Sequence, residues 1–266
     1  MTEELVRLGL IDDEDLALDE AALALAHLDH PDADLAAYRD LLDLIEVQLA
    51  TVAADAATSA ARADALAAVL AGDFGFIGDA ETYDDPANAD MMRVLDRRRG
   101  LPVSLSILWV AMARRLGWDA SVLDVPGHVL VVVGADAAPL IVDPFAGGTT
   151  VGADRLAALV EASSPPGRAV SHVATMPNRA VLVRLLRNQA SRAEQAGRGR
   201  RALDLYRRMT TMAPAYSHGW WERARLELID HDIAAGRASL GAMLEITRDP
   251  ALRHRVAEML EALPAG

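Results

Sequence analysis

The chain has 266 residues, 52 % of them hydrophobic, and a formal net charge of −13, enough to bury the core of one large domain or two ordinary ones. It contains no cysteine, which excludes disulfides, thiolate metal sites and a thiol nucleophile; every basic residue is arginine, which excludes a P-loop lysine, a Schiff base and a lysine isopeptide. Residues 1–90 hold 22 acidic residues against three arginines, a net of −19, whereas the rest holds 17 against 23, a net of +6; this predicts attraction between the two parts and argues against nucleic acid as the main partner.

The opening MTEELVRLGLIDDEDL offers neither a basic n-region nor an apolar h-region, and no stretch reaches the length of a membrane span, so a soluble cytoplasmic protein without membrane contact is expected. From Asp15 to about Leu70 large aliphatic residues and alanines recur at helical spacing, among them Leu16, Leu23, Leu35, Leu42, Ile45 and Leu49, with Pro31 and Asp32 breaking the run. This predicts an N-terminal helical region over 1–72. The turn-rich DFGFIGDAETYDDPANAD and a stretch ending in RRRG lead to a long apolar helix that Pro102 opens and Gly117 closes. It is apolar nearly all round, so burial at the centre of a domain is expected. The runs SVLDV, HVLVVVG and PLIVDPF, bounded by Gly, Pro or Asp, predict an antiparallel sheet packed on that helix, giving an α+β core over 73–176. Over 177–266 the pattern is helical and weakly repetitive: Ala202 and Pro214 recur as Ala238 and Pro250 at a spacing of 36, with Ala190 and Ala224 at small positions and Tyr206 and Trp220 at large ones. This resembles the tetratricopeptide pattern, whose period is about 34 residues.

Three residues have the types of a catalytic triad. Ser104 lies near the start of the central helix, His128 opens one strand after Pro126 and Gly127, and Asp143 ends the next. A base next to a hydroxyl, with a carboxylate fixing the imidazole, is the arrangement that activates a nucleophile. Ser104 is either that nucleophile, favoured by the helix N-terminus, or a hydroxyl serving the first helical turn. The histidine and aspartate are either catalytic or a pair satisfying each other between strands. His27, Asp29 and His30 before Pro31 read as a helix terminus, not a metal site, and the carboxylates from Asp79 to Asp90 lack the glycine and closing glutamate of a calcium loop. No metal and no cofactor are expected.

The stretch GFIGDAETYDDPANADMMRVLDRRRGLPVSLSILWVAMARRLGWDASVLDVPGHVLVVV, followed by IVDPFAGG, resembles the SirB-type branch of the transglutaminase-like superfamily, whose members also have a helical N-terminal region and a tetratricopeptide tail. The resemblance implies a papain/transglutaminase-like core in which a cysteine at the start of the central helix works with a histidine and an aspartate on successive strands. His128 and Asp143 match the last two. The cysteine position falls between Pro102 and Ser104, where only Ser104 is able to attack anything. Val129 and Ala89 depart from the branch's usual aromatic and serine, and Asn88 is a candidate lining residue of the pocket, as is Val129. The expected function is a non-catalytic interaction, scaffold or regulatory protein that binds a protein or peptide segment. The alternative is an amide or ester hydrolase, or an acyltransferase, using Ser104, His128 and Asp143; a third reading is a cation or small-molecule binder using the acidic N-terminal part.

Overall fold

The computed structural model describes residues 3–125, 127–134, 138–163 and 173–264, and Pro126 of the expected histidine turn lies outside these. The helices are α1 (Glu3–Leu10), α2 (Leu18–His27), α3 (Leu35–Val52), α4 (Ser59–Leu66, continued by a π-helical stretch Ala67–Asp73), α5 (Met91–Arg97), α6 (Pro102–Arg115), α7 (Ala153–Ser163), α8 (Asn178–Gln195), α9 (Gly199–Met212), α10 (Ser217–Ile229), α11 (Ile233–Ile246) and α12 (Pro250–Ala262). The strands are β1 (Ile77–Gly78), β2 (Arg99–Gly100), β3 (Ala120–Val125), β4 (His128–Val133), β5 (Leu140–Asp143), β6 (Thr149–Thr150) and β7 (Ala174–Thr175). The chain divides into two compact units, one of Asp13–Leu185 and one of Met1–Asp12 with Leu186–Gly266; the division falls inside α8.

The Asp13–Leu185 unit is built around α6. Pro102 occupies its first turn, where a missing N–H costs nothing. Gly117, at φ +70°, ends it: the Gly117 N–H bonds the Arg114 carbonyl and the Trp118 N–H bonds the Ala113 carbonyl, the two hydrogen bonds of a Schellman motif. Every residue from Pro102 to Ala113 is buried. Such a helix has no solvent face, so its neighbours must cover it all round. They do: β3 and β4 pack on it, as do α2, α3, α4 and the 3-10 turn Pro144–Ala146. Fully burying each of Ile107, Leu108 and Met112 stabilises by about 2 kcal/mol. The sheet has the order β6-β5-β4-β3-β7, with every pairing antiparallel. Three of its strands are the expected ones; β6 and β7, at two residues each, carry too little periodicity to show in the sequence. Leu123, Val125 and Leu130 cluster with Val151 and with Val160 of α7.

The acidic N-terminal helices are held to the end of α6 by charge. Arg115, 22 % exposed, lies 2.9 Å from Asp19 on α2, and 2.8 and 3.0 Å from Asp43 and Glu46 on α3. Burial disfavours the guanidinium charge, but the three carboxylates outweigh it and raise its pKa. Arg115 is thus one of the points at which the acidic first part of the sequence meets an arginine of the rest.

In the unit containing the C-terminal helices, α1 packs on α9 so closely that a side chain at Gly9 would meet the Thr211 carbonyl at 2.9 Å. The helix pairs are held by small residues. Ala190 and Ala224, 34 positions apart, are both buried. Ala202 is buried too, but the predicted equivalent, Ala238, is exposed. Gly236 takes the contact instead, 34 residues from Ala202, and an added Cβ there would lie 2.6 Å from Leu228 on α10. Two pairs of buried small residues therefore recur at a spacing of 34, whereas the spacing of 36 joins buried Ala202 to an exposed alanine.

Removal of the Arg115 guanidinium leaves Asp19 buried beside an apolar core with its charge uncompensated. Arg115→Ala is expected to cost about 2 kcal/mol of unfolding free energy, measured by urea denaturation, and Arg115→Lys to recover only part of it, because one ammonium cannot serve three carboxylates as a guanidinium fork does.

Candidate functional site

Asp143 closes β5, and its carboxylate does two things at once. Oδ1 accepts the N–H groups of Phe145 and Ala146 at 3.0 and 3.3 Å, capping the 3-10 turn that follows. Oδ2 lies 2.9 Å from His128 Nε2 at the start of β4. A carboxylate only accepts, so Nε2 carries the hydrogen and Nδ1 is left as the acceptor. Nδ1 meets no donor among the described residues. The histidine backbone is fixed as well: Arg184 Nη2 donates to its carbonyl at 3.2 Å while Nη1 pairs with Asp124. Asp143 is almost fully buried and His128 partly exposed, which places the imidazole at the edge of the core.

The VDPFAGG segment has a mechanical explanation. Gly147 and Gly148 adopt φ of +67° and +85°, and the Gly148 N–H returns to the Asp143 carbonyl at 2.8 Å. A side chain on Gly148 would sit 2.2 Å from the Trp109 indole of α6. Phe145 is a wedge: its ring stands edge-on to His128 at 6.4 Å and to Tyr83 at 5.8 Å, and a Cβ on Gly78 would be 2.5 Å from it. Phe145, Tyr83 and Gly78 were not apparent as site residues from sequence, where an aromatic following an Asp-Pro pair carries no distinctive signal.

Ser104 is placed differently. It is fully buried, and its Oγ donates at 2.7 Å to the main-chain carbonyl of Asn88, not to His128 and not to its own helical turn. The same carbonyl accepts the Leu101 N–H at 3.0 Å, so Asn88 anchors the whole N-terminus of α6. The two triad partners of the sequence reading are brought together, and the third is directed elsewhere.

Asn88 also departs from expectation. It does not line an open pocket: it is fully buried, its Nδ2 donating to the Thr82 carbonyl at 2.7 Å and its Oδ1 accepting from Arg97 Nη1 at 3.0 Å. Val129 is buried at 3 % exposure, and as the next residue along β4 its side chain goes to the other face of the sheet from His128. Ala89 is fully buried. Arg97 continues the network to Asp79 at 3.0 Å, and Asp79 accepts the Thr82 hydroxyl and N–H at 2.6 and 2.8 Å. These bonds, the Thr82 hydroxyl first, hold the Asp79 carboxyl at about 2, below its ordinary 3.8. Three carboxylates of this segment, Asp79, Asp85 and Asp90, act as supports. Asp85 caps the Pro86–Ala89 turn, and Asp90 caps α5 while lying 2.7 Å from His30. Among the described residues no group of three His, Asp or Glu side chains is arranged to hold a metal, and no helix is long and apolar enough to cross a membrane.

Residues 36–187 match the family model described as transglutaminase-like superfamily. A UPF0162 protein of Xylella fastidiosa (strain 9a5c) is 32 % identical over 212 residues, covering 78 % of this chain and 75 % of that one. A UPF0162 protein of Vibrio cholerae is 34 % identical over 141 residues, covering 51 % of this chain and 52 % of its own. A crystal structure of menin, described as revealing the binding site for the Mixed Lineage Leukemia protein, aligns with a TM-score of 0.41 at 13 % identity over 97 % of this chain and 73 % of that one, a likeness too low to carry an argument.

The lowered Asp79 pKa sets a pH dependence. A carboxyl depressed in the folded state contributes stability that is present above the unfolded value of 3.8 and is lost as the pH falls toward about 2. Unfolding free energies measured by urea across this acid range should fall in the parent protein, and Asp79→Asn should be less stable at neutral pH and show a shallower acid limb. Parallel pH profiles for the two would refute the assignment.

Proposed function

Because the chain belongs to the transglutaminase-like superfamily and has no cysteine anywhere, we propose that it is a non-catalytic interaction or scaffold protein in which the inherited fold presents a binding surface. One observation carries this reading: the sole hydroxyl in the window of the missing cysteine, that of Ser104, is buried and spends its hydrogen on the Asn88 carbonyl. Attack by a serine requires that hydrogen to pass to the histidine as the bond forms, and an alcohol has almost no ionised fraction of its own at neutral pH. A hydroxyl held on a main-chain carbonyl has neither the base nor the open approach. The partner is a protein or peptide segment in the cytoplasm. The 34-residue spacing of Ala190 with Ala224 and of Ala202 with Gly236 supports a tetratricopeptide-like tail, and stacked helix pairs of that kind offer extended surfaces to peptides. The helical tail and the whole-chain resemblance also support placement in the SirB-type branch.

A second reading rests on the other half of the site. His128 keeps its carboxylate on Nε2 and an unpartnered Nδ1, the arrangement a general base needs, and in this reading Ser104 is the nucleophile of a Ser104, His128 and Asp143 hydrolase.

Treatment of the full chain with a serine-directed fluorophosphonate, beside a control hydrolase and read by mass spectrometry, separates the two. Ser104 is expected to remain unlabelled while the control reacts. His128→Ala, which leaves Asp143 Oδ2 without its partner, is expected to lower stability by about 1–3 kcal/mol with no hydrolytic activity to lose. Labelling of Ser104 that disappears in His128→Ala would establish the hydrolase instead.

A further inference from the structure

The β3–β4 ladder has two ends. Val125 faces His128 at one, and Ala120 faces Val133 at the other, about 17 Å away at about 3.4 Å per residue. At this far end lies a separate cavity of about 350 Å³, within the size range of small-molecule sites. Arg114, Trp118, Asp119, Ser121, Val132 and Thr175 line it.

The cavity holds two opposite charges that do not touch. Arg114 is fixed in place: Nε donates to the Ala120 carbonyl at 2.9 Å and Nη1 to Asn178 Oδ1 at 2.8 Å. Asn178 is itself pinned, with Nδ2 on the Asp13 carbonyl at 2.7 Å and its N–H on Asp13 Oδ2 at 2.9 Å. That leaves Nη2 of a pre-aimed guanidinium uncommitted. The Asp119 carboxylate makes no hydrogen bond or ion pair among the described residues, yet it is near enough to favour the Arg114 charge against the burial that lowers its pKa. The hydroxyls of Ser121 and Thr175 are likewise unpartnered. Trp118 adds an indole whose ring carries the Arg62 guanidinium at 5.6 Å, and Val132 adds an apolar wall.

The charges decide the ligand class. Both charged residues are exposed at the cavity mouth, where an anion would be repelled by Asp119, a cation by Arg114, and a neutral molecule would use neither charge. A molecule with a carboxylate and an ammonium a few bonds apart satisfies both, with hydroxyls for its remaining donors and an apolar wall for a side chain. We propose that this cavity is a binding site for a free α-amino acid, with the carboxylate on Arg114 Nη2 and the ammonium on Asp119. The site lies in the Asp13–Leu185 unit away from the His128 and Asp143 pair, so its occupancy does not depend on whether that pair is catalytic.

The test is an NMR titration of the uniformly ¹⁵N-labelled full chain with each common L-amino acid in turn. The probes are the Trp118 indole N–H, assigned by Trp118→Phe, and the Arg114 Nε–H. At least one amino acid should give saturable shifts of both signals at millimolar concentration or below. For that amino acid, the matching amine without the carboxylate and the matching acid without the ammonium should each bind about tenfold more weakly or worse, as should the parent amino acid to Asp119→Asn, whose unfolding temperature should be little changed because the exposed carboxylate makes no hydrogen bond or ion pair among the described residues. Saturable shifts with no amino acid, equal binding of the half-ligands, or undiminished binding to Asp119→Asn would each overturn the proposal.

Discussion

Twelve consecutive buried residues on α6 impose the constraint from which the rest of the Asp13–Leu185 unit follows. A helix with no polar face has to be enclosed, and no single layer encloses a cylinder. The sheet covers one side through β3 and β4, the N-terminal helices α2, α3 and α4 cover others, and the turn after Asp143 closes against Trp109. The contacts are tight enough to dictate residue type. Gly148 is glycine because the Trp109 indole occupies the space of its Cβ and because its φ is positive. The charge of the N-terminal region finds its use at the end of the same helix, where Arg115 collects three carboxylates from two helices.

The enclosure also explains how the site is arranged. Polar groups that enter a closed core have to be satisfied there, and those around Asn88 are tied into one network. The Asn88 carbonyl takes the Leu101 N–H and the Ser104 hydroxyl, the Asn88 amide takes Thr82 and Arg97, and Asp79 takes Thr82 and Arg97. The same economy operates at Asp143, with one oxygen for the turn and the other for the histidine. Ser104 is drawn into this network by proximity to a carbonyl that needs a donor, and the histidine keeps its carboxylate while its second nitrogen stays open. The hydroxyl that a catalytic constellation would use is committed here to a main-chain carbonyl.

The C-terminal helices teach a related lesson about spacing. Alanines at 36 residues stand out in the sequence, yet the packed interface uses Ala202 and Gly236 at 34, because the closest approach of α11 to Leu228 tolerates no Cβ. Both residues are small, and smallness alone does not distinguish an alanine facing solvent from a glycine facing a neighbouring helix. The 34-residue pair Ala190 and Ala224 shows the same period from the preceding helices.

What the sequence determined by itself is what depends on local pattern: the central helix between Pro102 and Gly117, its burial, the three longer strands, the absence of thiol chemistry, and the placing of His128 and Asp143 on neighbouring strand ends. Each of these is a matter of periodicity, of turn residues or of composition, all of which act over a few residues. Only the tertiary structure decided that Ser104 bonds the carbonyl of Asn88, sixteen residues away, that Asn88 is a buried support and Val129 faces away from the histidine, and that Arg114 and Asp119 share a cavity without touching. Those outcomes are set by which chain segments the enclosure of α6 brings together. A hydroxyl or a carboxylate looks the same in sequence whichever neighbour it meets.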